Sequence, residues 1–428
     1  MAQTAGTVRR TYYLLTAGNT LAASLIWGIN TIFLLDAGLS NFEAFAANAF
    51  YTAGMMLFEI PTGIVADSRG RRISFLWGTV TLSVATALYV LLWQLDSPFV
   101  WWALVSLMLG LGYTFFSGAT EAWLVDALTA TKFDGMLETV FARGQVVSGV
   151  FMLLGSVAGG FLAQLTNLGV PYVVRAVILV VVFVVALLLM HDLGFTPDRG
   201  KTVRAEVRII VDNSVRYGLR VPAIRATMLS GFFLGGIGLY TFYALQPYLL
   251  QLWGNPEAYG IAGLVAALTA GAQIVGGLIT PLVRRWFSRR TSMMILMTAM
   301  NVVLMAAIGL VANFWVVVSL IVLWSLADAA AEPVRRAYLN GMIRSQQRAT
   351  ILSFDSLINS AGGLIAQPTL GRVADVYSYP ISYLWSAIGS ALALPFLLRA
   401  RAAKAAADEE TTAPPEEAGK ASATQVDA

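Results

Sequence analysis

Cysteine is absent from all 428 residues, which excludes disulfides, thiol nucleophiles and Cys-ligated metal sites. Histidine occurs once, as His191 at the end of an apolar run. A His-based metal centre is therefore not expected, nor is any other metal or cofactor. Charge is scarce: Asp, Glu, Lys and Arg make up 12% of the chain against 57% apolar residues, and mean hydropathy is +0.71. A soluble chain of this length could not bury that much apolar surface, so the class is a polytopic all-α membrane protein. The alternating segments of about ten residues that build a β-barrel are missing. No P-loop is present to bind ATP, and no nucleophile–base constellation remains from which to build an enzyme. The net charge of +4 sits in loops at membrane ends, a topology signal rather than a nucleic-acid footprint.

What is abundant is long apolar sequence. Segments of the roughly 20 residues needed to cross a bilayer can be placed twelve times. Approximate limits are 11–36, 41–66, 73–94, 98–128, 138–164 and 170–192, then 223–251, 256–283, 290–312, 314–341, 348–377 and 379–399. Arg9-Arg10 before the first segment imitates a secretory signal. The stretch that follows runs far beyond a signal core and carries Asn19 and Asn30, so it reads as a retained first span. With both termini placed in the cytoplasm, all of the 28 Lys and Arg residues except Arg175 and Arg372 fall at cytoplasmic ends. That asymmetry supports both the even span count and the orientation.

The two halves echo each other. Asn41-Phe-Glu43-Ala-Phe45 returns as Asn255-Pro-Glu257-Ala-Tyr259, an offset of 214 residues. Gly155-Ser-Val-Ala-Gly159 in span 5 maps onto Gln367-Pro-Thr-Leu-Gly371 in span 11, an offset of 212. Consistent offsets near half the chain imply a duplicated six-helix unit. The expected organisation is an N-terminal bundle over 1–192, a cytoplasmic linker over 193–222, a C-terminal bundle over 223–400 and a disordered cytoplasmic tail over 401–428. Within the linker, Val203, Val207, Ile210 and Val211 share one helical face. The segment is either an interfacial helix on anionic headgroups or a plain connector.

One turn between spans 2 and 3 stands out: Gly63-Ile-Val-Ala-Asp67-Ser-Arg69-Gly70-Arg71-Arg72. So charged a run cannot lie in hydrocarbon and marks a hairpin at the membrane surface. It is similar to the loop between the second and third helices of major facilitator superfamily transporters, of form G-x-x-x-D-x-x-G-R-R/K. The resemblance spans residues 11–400 and leans towards the bacterial drug/proton antiporters. It implies two pseudo-symmetric six-helix bundles with the transport path between them. It also implies a cytoplasmic gate in which Asp67 and Arg71 pair near Asp126, with Gly63, Gly70 and Arg72 shaping the turn and Glu59 extending the cluster. Asp67 at the end of span 2 is expected to accept backbone N–H groups from a neighbouring helix start. The second half has Arg285 where Asp67 falls, so a symmetric second latch is not expected. Gly155-Ser156-Val-Ala-Gly159-Gly160 is similar to the family's antiporter motif, with serine where that motif has proline; the family's span-4 arginine has no counterpart between Ser106 and Gly112.

An ionisable residue at mid-membrane costs roughly 2.5–3.5 kcal/mol on insertion scales and is a functional candidate by default. Asp328 lies near the middle of span 10, with Glu332 one turn later on the same face. Two neighbouring carboxylates disfavour double ionisation, as a proton carrier requires. The alternative is a structural pairing with Arg335 or Arg336. Glu121, like Asp126, is either neutralised by Arg143 or part of a proton relay, whereas Asp36 and Asp375 are placed in solvent outside. Substrate-cavity candidates are Trp27, Asn30 and Thr31 in span 1 and Tyr240, Tyr243 and Gln246 in span 7, mixed aromatic and polar stripes suited to an amphipathic molecule. The expected function is secondary active efflux of a small hydrophobic or amphipathic compound, coupled to protons, by a monomer in the plasma (inner) membrane. The alternatives are a solute importer, for an organic anion or nutrient, and a non-transporting receptor or scaffold.

Overall fold

The computed structural model describes residues 4–116, 118–198, 200, 202–344 and 347–409. Its first half runs α1 (Ala5–Ser24), α2 (Asn30–Asp36), α3 (Asn41–Arg69), α4 (Arg71–Gln94), α5 (Phe99–Thr114), α6 (Ala119–Ala130), α7 (Leu137–Leu165) and α8 (Gly169–Leu189). A linker helix, α9 (Val203–Asn213), continues into a π-helical turn, Ser214–Leu219. The second half is α10 (Pro222–Trp253), α11 (Tyr259–Arg284), α12 (Arg290–Leu310), α13 (Phe314–Met342), α14 (Arg348–Val376), α15 (Tyr379–Ala391) and α16 (Leu394–Ala402). Spans 1, 4 and 12 are each built from two collinear pieces, α1/α2, α5/α6 and α15/α16, which gives the twelve spans of two six-helix bundles. Among the described residues, ten of them are long and apolar enough to cross a membrane by length and composition alone. Span 1 is interrupted, and span 11 carries Asp355, Asn359, Gln367 and Arg372.

Lipid offers no hydrophobic drive between helices, so close contact depends on small residues. A Cβ on Gly110 would lie 2.8 Å from the Cα of Gly54, which lets α5 lie directly on α3. In the second half, a Cβ on Gly236 would stand 2.5 Å from the Gly362 carbonyl carbon, bringing α10 onto α14 in the same way. The break in span 1 over Leu25–Ile29 frees backbone groups that hydrocarbon cannot satisfy. The Gln246 side chain satisfies two of them: Thr31 N–H donates to its Oε1 at 2.9 Å, and its Nε2 donates to Trp27 O at 2.7 Å.

Two carboxylates close helix ends in matching places. Asp192, just beyond α8, accepts the Arg72 amide at 2.8 Å and so caps the start of α4. Asp408 accepts the Thr291 amide at 2.8 Å and its hydroxyl at 2.7 Å, capping α12. Each half thus uses an acid after its last span to close its third. The tail is therefore not disordered from residue 401. Residues up to 409 are held by Asp408, by Arg290 donating to Ala407 O and by an Arg289–Glu409 ion pair of 3.1 Å. The remainder of the expected tail, 410–428, lies outside the described residues. In the linker, Val203 and Val207 are exposed on α9, and the π-helical turn packs Tyr217 and Leu219 against Ile224, Met228 and Ile351 of the second half. The side chain of Val211 lies outside the description.

Candidate functional site

Hydrogen bonds between the halves, among the described residues, all fall towards the face opposite the basic turns. Asp375 of α14 accepts the amides of Asn41 and Phe42 at 2.8 Å each and so caps α3 from across the interface. Gln164 of α7 accepts the Gly260 amide at 2.9 Å and caps α11 in the reverse sense. Gln246 bridges α10 to the break in span 1, and Tyr379 donates to Asn41. Bare backbone closes the remaining space. A Cβ on Gly160 would meet Gly263 Cα at 2.9 Å, one on Gly263 would meet Ser156 O at 2.6 Å, and one on Gly28 would meet Gly263 Cα at 2.9 Å. On the basic face no ion pair or hydrogen bond joins the bundles among the described residues. Between the halves lies a cavity of about 860 Å³, sealed on the bonded side and reaching Glu332, Arg335 and Arg336 near the basic end of α13.

Its walls are mixed. Of the six candidates, Trp27, Asn30 and Tyr243 line it, together with Tyr51, Tyr89, Phe242 and Trp324. Three candidates do not line it. Thr31 is fully buried beside the break in span 1. Tyr240 is buried in the second-half core, donating to Ser382 at 2.6 Å. Gln246 has both amide ends engaged by the break, which makes it a bridge between the halves rather than a lining residue. Helical spacing had put them on a plausible face, but the partner that each meets lies far away in sequence.

The carboxylates of α13 sort themselves by partner. Glu332 pairs with Arg336 at 2.6 Å, and Arg335 pairs with Asp355 of α14 at 2.5 Å. Both nearby arginines are thereby engaged, so the structural pairing considered for Asp328 does not form. Asp328 faces the cavity, accepts from Asn301 Nδ2 at 3.4 Å, and has no cation within 4 Å among the described residues. Asp355 escaped the sequence reading because its charge reads as that of an ordinary helix-start residue. Glu121 is exposed in a smaller recess of about 320 Å³ that shares Asn19, Thr20, Tyr113 and Ser148 with the main cavity. Arg143 forms no ion pair with Glu121 or Asp126 among the described residues.

Arg175 is the largest displacement from expectation. It was placed outside the membrane, yet it lines the cavity. Tyr172, Arg175 and Leu179 share one face of α8, a spacing that was readable. Arg372, in contrast, is exposed.

At the basic turn, Arg71 pairs with Asp67 at 2.5 Å. Gly70 has φ +116°, and a Cβ there would come within 2.3 Å of Asp192 Oδ2. Both the backbone conformation and the space require glycine. Asp192 is an acid that receives the start of α4. Burial pushes the Asp192 carboxyl up, opposed by the Arg72 amide and the guanidinium groups of Arg72 and Arg71. The Asp67 carbonyl holds the linker through Asp198 N–H at 2.9 Å. Neither Glu59 nor Asp126 forms an ion pair with Asp67, Arg71 or any other described residue. Gly63 has open space where a Cβ would point. Asp375, expected in solvent, is the acid that ties the opposite face together.

The sequence profile of the Major Facilitator Superfamily matches residues 12–286 and again 228–425. The chain belongs to this superfamily. Within it, the MFS-type transporter YxaM of Bacillus subtilis (strain 168) is 19% identical over 402 residues, covering 90% of this chain and 94% of its own. The nucleoside transporter NupG superposes with a TM-score of 0.74 at 12% identity, over 93% of this chain and 99% of that one. A bacterial homologue of the human lysosomal transporter Spinster, in an inward-facing and unoccupied conformation, gives 0.70 at 14% identity over 96% and 100%. A D-xylose–proton symporter gives 0.64 at 15% identity, over 92% and 96%. At such identities these structures speak for the superfamily fold alone. The protein is thus a multi-pass membrane transporter for small molecules.

Proposed function

We propose that this protein is a proton-coupled secondary transporter that exports an amphipathic organic compound by alternating access. In this reading the basic face is cytoplasmic, the membrane is the plasma (inner) membrane, and the conformation is inward-open. The observation that carries it is Asp328: a carboxylate inside the span, facing an aromatic-lined cavity, with neighbouring arginines already paired to other acids. Such a group can take a proton when the cavity opens to one side and release it when the cavity opens to the other. Glu332 and Glu121 are secondary sites for the proton, on the route to the cytoplasm. Closure of that side brings Asp126 and Glu59 towards the Asp67–Arg71 pair, which makes the turn a gate.

Overexpression in cells is expected to lower accumulation of a lipophilic dye, with the effect abolished by a protonophore. Asp328→Asn is expected to remove pH-driven transport while the protein still folds. Full coupling in that variant would eliminate Asp328 as the proton carrier, and unchanged accumulation across a broad panel of compounds would count against export.

A second reading, uptake of an organic anion by symport, is favoured by Arg175 in the cavity wall. Proteoliposomes with an imposed pH gradient separate the two: export moves substrate against the proton flow, and uptake moves it with the flow.

A further inference from the structure

A guanidinium group in a membrane span is costly unless it is paired or has a partner to receive. Arg175 of α8 has no carboxylate within 4 Å among the described residues, and its Nε is buried without a hydrogen-bond acceptor. It is within electrostatic reach of four phenols, those of Tyr172, Tyr51, Tyr89 and Tyr243. Two of these are already committed: Tyr172 donates to Asn30 Oδ1 at 3.1 Å, and Tyr89 shares a 2.5 Å hydrogen bond with Ser106. The hydroxyls of Tyr51 and Tyr243 have no such bond among the described residues, and both side chains line the cavity. Tyr51 comes from α3 in the first half and Tyr243 from α10 in the second. The wall of one cavity therefore contains a planar cation and two O–H donors with no hydrogen bond among the described residues, together with the aromatic surfaces of Trp27 and Phe242, ring centroids 5.9 Å apart.

We infer that Arg175, Tyr51 and Tyr243 form a binding subsite for the carboxylate of an aromatic or otherwise amphipathic organic acid. The inference rests on the reading of the cavity as the substrate site, but not on proton coupling or on the direction of transport. A guanidinium fork matches a carboxylate through two parallel N–H···O bonds. The two tyrosine hydroxyls fill the remaining lone pairs, and the indole and phenyl rings take the apolar body. Because Tyr243 belongs to the other bundle, an anion seated here touches both halves at the sealed end of the cavity.

The test is calorimetric binding to the full chain in lipid nanodiscs with three probes of one shape: 2-naphthylacetate, its neutral amide, and 2-(2-naphthyl)ethylammonium. The unaltered protein is expected to bind the acid roughly tenfold more tightly than the amide, with the ammonium compound weakest. Arg175→Gln is expected to remove the preference for acid over amide, Arg175→Lys to restore part of it, and Arg372→Gln, at an exposed arginine, to leave it intact. Equal binding of acid and amide by the unaltered protein, no binding of the acid, or a preference that survives in Arg175→Gln overturns the proposal. The comparison of acid with amide needs no variant, so a folding defect cannot mask the answer. The acid–amide comparison is made at equilibrium with no pH gradient, so failure of this subsite and failure of the proton mechanism are read separately.

Discussion

The two faces of this transporter are held together by different means. At the sealed face, each half lends an acceptor to a helix start of the other, Asp375 to α3 and Gln164 to α11, and glycine backbones fill the space between. At the basic face, the ion pairs Asp67–Arg71, Glu332–Arg336 and Arg335–Asp355 each stay within one half. Bonds across the interface choose the conformation, whereas bonds within a half only keep that half intact. The state observed is therefore set on the sealed side.

This difference can be broken by degrees. The absence of cysteine makes Ala23→Cys, in the cavity wall, a reporter without background for a membrane-impermeant thiol reagent added from the sealed side. Gly263→Leu should have the largest effect. Its side chain would occupy the position of the Ser156 carbonyl, wedge the bundles apart, raise labelling from the baseline towards completion and abolish transport. Unchanged labelling would mean that the glycine contact does not hold the seal. Asp375→Ala comes next. Loss of two charge-assisted bonds, about 1.5–3 kcal/mol each, should shift the conformers by roughly two to four orders of magnitude and raise labelling accordingly. An effect on thermal stability alone would reduce Asp375 to a local cap.

The smallest change is expected for Asp192→Ala on the basic side. It should cost about 1 kcal/mol of stability through the lost cap and leave labelling near baseline. Substantial labelling there would show that the basic turn also biases the conformers, and the contrast between the faces would fail.

Features carried by local spacing were legible in the sequence. Hydropathy gave the twelve spans, the offset repeat gave the two halves, and the four-residue step from Asp67 to Arg71 gave their pair. What was missed acts over long separations. Thr31 and Gln246 are 215 residues apart, Asn41 and Asp375 are 334 apart, Arg72 and Asp192 are 120 apart, and Thr291 and Asp408 are 117 apart. Nothing in one strand of text pairs such positions. Arg175 was missed for another reason. Depth along a span was judged from distance to its end, but six residues into α8 the side chain's rotation about the axis decides between solvent and cavity.

The paired caps at Asp192 and Asp408 have a consequence for assembly. Each bundle contains the carboxylate that closes its own third span, so neither depends on the other for that closure. A chain divided between Gly200 and Val203 would still give each fragment its clasp. Two separately synthesised pieces, meeting in the bilayer, should then recover the transporter through the hydrogen bonds and glycine contacts of the sealed face.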